Sequence, residues 1–255
     1  MIKLLKYDWK RNASVILAAL VILLLIQVAF TTAGWLKDWD VDFISVISIL
    51  LYAMSAFLAF LMACQTFNYN IKAYSRRLLP LPTLYTIIAP IILLFLIQLV
   101  IALIFVAHAS IIEMIFGEEK TMHLFDLNYF AFMELASIAV SYGWGTLITT
   151  LMIFLSITLS KTVEGRGGTF LGIVVCLAMF IAMPYMAWLI FPDSVNSTQY
   201  LGFLTLELTE AADGTMTWDV TPFDGVRWLV LLFEGAVMTA LIYGTVFLMN
   251  RKIKL

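Results

Sequence analysis

At 255 residues, with 63% hydrophobic and 13% charged positions and a mean hydropathy of +1.00, the chain lies far from the roughly 45–50% apolar and about 25% charged make-up of soluble domains. A soluble globular protein is excluded, and at roughly 20 apolar residues per helical crossing the length holds about six or seven spans and no separate soluble domain. Fifteen Lys and Arg against seventeen Asp and Glu leave a net charge of −2, a small sum that hides a near-complete separation of the two signs along the chain.

The opening residues put Ile2, Leu5 and Trp9 on one helical face and Lys3, Lys6 and Lys10 on another, which predicts an interfacial amphipathic helix over 1–12 lying on the membrane surface. The apolar run that follows, about 13–35, is longer than the roughly 7–15 residues of a signal-peptide core and reads as an uncleaved first span. An acidic loop with Asp38, Asp40 and Asp42 leads to span two at about 43–67, and a polar, basic connection over 68–83 leads to span three at 84–116, with Pro90 near its start. A turn around Gly117, Glu118, Glu119 and Lys120 precedes span four at about 128–160. Spans three and four exceed what the hydrocarbon needs, so they tilt, break or project.

A glycine-rich connection, Lys161 to Gly168, suits the end of one helix and the start of another. Span five follows at about 169–191, where Pro184 predicts a kink. The polar stretch 192–224 carries six Asp and Glu and not one Lys or Arg. Its Leu201 to Leu208 and Gly214 to Val220 segments read equally as two strands or as a re-entrant element. Span six, about 226–249, ends in a basic tail. The expected fold is therefore all-α, a single transmembrane domain over 1–255 with six transmembrane helices.

Twelve of the fifteen cations fall on one side of that layout: Lys3, Lys6, Lys10 and Arg11, then Lys72, Arg76 and Arg77, then Lys161 and Arg166, then Arg251, Lys252 and Lys254. The other side holds Lys37, Lys120 and Arg227. Because basic loops stay cytoplasmic, both termini are expected in the cytosol and the chain in the cytoplasmic membrane, with 192–224 outside.

No G-x-x-x-x-G-K-[ST] loop occurs, so the chain has no P-loop for nucleotide phosphates. There is no His-Glu-x-x-His zinc helix, no G-x-S-x-G elbow and no Arg-rich span. No catalytic residue, metal site or nucleic-acid partner is expected. Cys64 and Cys176 lie in apolar runs, where free Cys acts as a small hydrophobe. Glu118, Glu119 and His123 faintly echo the Glu-Glu-x-x-x-Arg motif of CAAX-type intramembrane proteases, with His in place of Arg.

The basic start Met1 to Arg11, six spans with both ends inside, and the run Tyr74 to Thr83 leading through Leu-Pro-Leu-Pro into span three together resemble the membrane subunits of ABC exporters of the type-2 permease superfamily. The likeness covers the whole chain in layout and about thirty residues in sequence. It implies that Tyr74, Arg76, Arg77 and Leu79 form a coupling segment that docks on a separately encoded ATPase, which binds ATP and Mg. It also implies a dimer with a second permease chain, an N-terminal connecting helix, a folded outer element before span six, and export of an amphipathic or hydrophobic cargo.

Within the spans, Ser45, Ser48, Tyr52 and Ser55 recur at helical spacing, so they share one face of span two, as either path lining or packing. Met179, Met183 and Met186 flank Pro184 on span five, where flexible thioethers would suit a varied apolar cargo. The intramembrane ionisable residues His108, Glu113, Glu134 and Glu234 are costly in lipid. His108, Glu134 and Glu234 form the titrating set of the alternative function, an ion- or proton-coupled secondary transporter. The run Ser141 to Thr146, with Gly143 and Gly145, reads as a helix-packing surface.

Overall fold

The computed structural model describes residues 2–72, 82–116, 132–163, 165–191, 204–210, 216–222 and 228–251. Six helices carry nearly all of them: α1 Ile2–Leu36, α2 Val41–Lys72, α3 Leu84–Phe116, α4 Phe132–Ser160, α5 Arg166–Ile190 and α6 Trp228–Arg251. Each contains a stretch long and apolar enough to cross a bilayer, from Leu4–Leu36 in the first to Trp228–Asn250 in the last. Large apolar side chains such as Leu25, Met114, Ile181 and Leu232 stand exposed on these helices. In water they would form patches that soluble monomers do not tolerate; against lipid tails they cost nothing. The chain is a multi-pass membrane protein.

The expected surface helix over 1–12 is not a separate element, because residues 2–36 run as one unbroken helix. No Gly or Pro interrupts the ladder between Trp9 and Ala18, and Asn12 ties the junction down. Its Nδ2 donates to the Asp8 carbonyl at 3.0 Å and to Thr66 Oγ1 of α2 at 3.0 Å. Likewise α2 continues through Lys72, so the first five residues of the expected 68–83 connection are helical.

The chain divides into two compact units, Met1–Tyr69 with Ile88–Phe130, and Asn70–Ile87 with Ala131–Leu255. In the first unit, α1 ends in a tight turn in which Asp38 takes φ 49°, Lys37 N–H donates to the Ala33 carbonyl and Trp39 N–H to the Gly34 carbonyl. This is the left-handed cap that closes orphan carbonyls at a helix end, here with Asp in place of the usual Gly. Phe30, Trp39 and Phe43 pack around the turn, over buried Val41, Ile44 and Ile112. The main core joins all three helices through Ile16, Leu23, Ala59, Ala63, Leu94 and Ile97. At the far end of the α1–α2 pair the Arg11 guanidinium sits 4.1 Å from the centre of the Tyr69 ring and 3.8 Å from the buried Asp8 carboxylate.

In the second unit α4 packs against both α5 and α6. The α4–α5 contact is set by small residues. Gly168 lies so near the carbonyls of Ser160 and Val163 that a Cβ would collide with them, and a Cβ on Gly172 would meet the Ser160 side chain at 2.8 Å. Gly165, at φ 79°, makes the preceding turn, as the glycine-rich connection predicts. The buried residues of α6, Leu231, Glu234, Met238, Leu241 and Thr245, recur every three or four positions, a single stripe down one side of the helix. Between α5 and α6 the alternatives left open by sequence resolve into an antiparallel hairpin, β1 Leu204–Glu210 with β2 Met216–Pro222, in the register Leu204↔Pro222 to Glu210↔Met216. The hairpin packs against α4.

Candidate functional site

Two polar loci sit among the apolar helices, one in each unit. In the first unit the expected stripe on α2 faces inward: Ser45, Ser48 and Tyr52 are all buried. The spacing of 3 and 4 residues puts them on one side of α2, and α1 and α3 supply what they meet. Gln27 Nε2 donates to the Ser48 backbone carbonyl at 3.2 Å. Thr31 Oγ1 and His108 Nε2 lie 2.9 Å apart, a hydrogen bond whose direction follows the imidazole tautomer. The Tyr52 ring packs beside His108 at 5.9 Å between centroids and edge-on to Phe105 at 5.1 Å.

These groups are not saturated. Among the described residues, Ser45 Oγ, Ser48 Oγ, the Tyr52 hydroxyl, Gln27 Oε1 and His108 Nδ1 have no hydrogen-bond partner although all are buried. Buried polar atoms in proteins are almost always paired, with protein or with water, and a buried amide or hydroxyl without a partner costs about 1–3 kcal/mol. These five groups on α1, α2 and α3 are hydrogen-bonding capacity that no described protein atom uses. Gln27 and Thr31 were not among the residues expected from sequence. Their signal was available, since they stand four apart, at helical spacing, in the first span.

Ser55 does not join this cluster. Its Oγ donates to the Leu51 carbonyl of its own helix at 2.9 Å, and it lines an apolar groove of about 280 Å³ together with Leu20, Leu23, Met54 and Met62. Glu113, half-buried on α3, lies one turn beyond His108.

The second locus is a cleft of about 250 Å³ formed by α4, α5 and α6, lined by Gly145, Met152, Phe180, Met183, Pro184 and Glu234 among others. Glu234 is buried, and Trp144 Nε1 donates to its Oε2 at 2.6 Å. The run Ser141 to Thr146 thus does more than pack: Trp144 pins the carboxylate and Gly145 leaves room in the wall. Of the three methionines, Met183 lines the cleft, whereas Met186 is exposed and Met179 is half-buried.

Glu134 belongs to the first turn of α4, and its side chain lies outside the described part of the structure, as do Tyr74, Arg76, Arg77 and Leu79 of the coupling segment and Glu118, Glu119 and His123 of the protease echo. Among the described residues no three His, Cys, Asp or Glu come together to hold a metal ion. Neither Cys64 nor Cys176 is joined in a disulfide. No family model, no curated protein and no solved structure matches this chain.

Proposed function

We propose that this chain is the membrane permease subunit of an exporter, moving an amphipathic or hydrophobic cargo outward with energy from a separately encoded ABC ATPase. The observation that carries this reading is the cluster of buried, unsatisfied polar groups on α1, α2 and α3. Ordinary packing in lipid satisfies such groups, because nothing in the hydrocarbon can; a conduit leaves them free for what passes. Five unpaired donors and acceptors, those of Tyr52 and His108 among them, suit a conduit wall.

The remaining parts follow the resemblance. Both termini are cytosolic by the distribution of Lys and Arg, the first three turns of α1 serve as the connecting helix, and the hairpin before α6 is the folded outer element. Tyr74, Arg76, Arg77 and Leu79 dock on the ATPase, which holds ATP and Mg, and a second permease chain completes the path within the cytoplasmic membrane.

The test is purification of the chain from its native cell in mild detergent, with mass spectrometry of what accompanies it. A stoichiometric soluble subunit with a P-loop is the expected result. Its repeated absence, under conditions that keep other membrane complexes intact, overturns the reading in favour of the ion-coupled carrier. That second reading draws on the Thr31–His108 pair and on buried Glu234, and it predicts that His108→Gln and Glu234→Gln each abolish transport instead of reducing it.

A further inference from the structure

We infer that the cleft between α4, α5 and α6 is a binding site for an ammonium group carried on a compact apolar body. Three features of the second unit point to this chemistry. The floor and walls are apolar and soft, with Ile148 and Met152 buried at the bottom and Met183 and Phe180 at the side. Thioethers and aromatic faces adapt to, and attract, alkylated cations.

One carboxylate, Glu234, enters this surface, and among the described residues no Lys or Arg lines the cleft to neutralise it. An acidic side chain at membrane depth is costly unless something compensates it. The Trp144 bond at 2.6 Å occupies only one of the roughly four acceptor positions of a carboxylate. It also fixes the side chain's orientation, so the group is held in place and not free to swing towards water.

The third feature is Pro184. It has no N–H to offer the carbonyl of Phe180 four residues earlier, and both residues line the cleft. The helix therefore gives up one of its internal donors at the rim of the site. The Phe180 carbonyl is thereby left without its usual donor four residues on. A carboxylate in an apolar cleft of about 250 Å³, with no Lys or Arg among the described lining residues, selects a ligand that brings its own positive charge and has few polar atoms besides. The amine of a lipid headgroup and a small amphipathic amine cargo share that chemistry. The site stands whether or not an ATPase drives the chain.

The probe is benzyltrimethylammonium, with neopentylbenzene as its neutral isostere, titrated onto the full-length chain in phosphatidylglycerol nanodiscs without any partner. The ammonium compound is expected to bind the wild-type chain about tenfold or more tightly than the isostere, the margin of a desolvated cation held by a carboxylate and an aromatic face. Glu234→Gln, which can still accept from Trp144, should lose that preference. Met183→Trp, which fills the cleft, should abolish binding of both compounds. Equal binding of the two by the wild-type chain, or unchanged preference in Glu234→Gln, overturns the proposal, and the wild-type comparison stands even if a variant does not fold. Adding phosphatidylethanolamine to the nanodiscs separates the sources: competition identifies a lipid headgroup as occupant, and its absence identifies a soluble amine. Lack of an ATPase partner would sink the exporter reading without touching any of these results.

Discussion

The Tyr52 hydroxyl is buried between α2 and α3 without a partner, and that separates two roles which sequence alone left equal. If the ring serves packing, its value lies in the edge contact with Phe105 and the contact with His108, which phenylalanine keeps. Tyr52→Phe should therefore leave thermal stability in detergent unchanged or slightly raised, while lowering export if the hydroxyl faces the conduit; unaltered export would return Tyr52 to the core. Thr31→Val is the complementary change. It strips His108 Nε2 of its bond, for about 1–3 kcal/mol of lost stability, read as a lower melting temperature. Glycine positions give a sharper contrast. Gly168→Ala forces a methyl against backbone carbonyls, whereas a Cβ on Gly235 meets nothing within 4 Å. The first should cost about 1–3 kcal/mol and the second should leave the melting curve in place.

At the scale of elements, the six spans were legible because apolar length is a one-dimensional signal, and the helices of the structure reproduce the expected boundaries to within a few residues, except at the end of α2 and the start of α1; the expected start of span four lies outside the described residues. The surface helix misled because amphipathic periodicity reports which face is polar, and says nothing of whether the helix bends where the apolar run begins. Asn12, bonded to both Asp8 and Thr66, keeps it straight. The hairpin was undecidable for a related reason. Alternation in Leu204 to Glu210 fits a strand, but pairing is a property of two segments. The α2 stripe was readable by spacing, while Glu234 could be flagged only as costly; its partner Trp144 lies 90 positions away, beyond any local pattern. An unbroken α1 of 35 residues extends about 52 Å at 1.5 Å per residue, against a hydrocarbon core of about 30 Å. Single cysteines placed at Lys3 and Lys6 should then react with a membrane-impermeant maleimide added from the cytosolic side, and protection from both sides would argue for a surface-embedded start.

For the whole molecule, the separation of charge is the strongest constraint on function. Twelve of fifteen cations fall on one expected side, Arg76 and Arg77 among them, in the stretch of sequence leading to Pro80 and Pro82. Reversing both to Glu should abolish co-purification of an ATPase and coupled transport while the chain still inserts, as judged by unchanged labelling of the termini. Retained coupling would reduce the two arginines to lipid-phosphate contacts. The polar loci of the two units also differ in chemistry: among the described residues one holds hydroxyl, amide and imidazole groups, the other the carboxyl group of Glu234.

The α1–α2 pair is clasped at both ends, by the aromatic turn of Phe30, Trp39 and Phe43 and by the Asn12–Thr66 and Arg11–Tyr69 contacts. On α1 the two clasps are 18 residues apart, about 27 Å, close to one hydrocarbon thickness. Two rods joined at both ends behave as a ladder and not as scissors: neither can slide or open against its neighbour without breaking a rung. Within its own unit this pair is therefore a rigid strut, and bending or sliding of α1 against α2 would first have to break one of the two clasps.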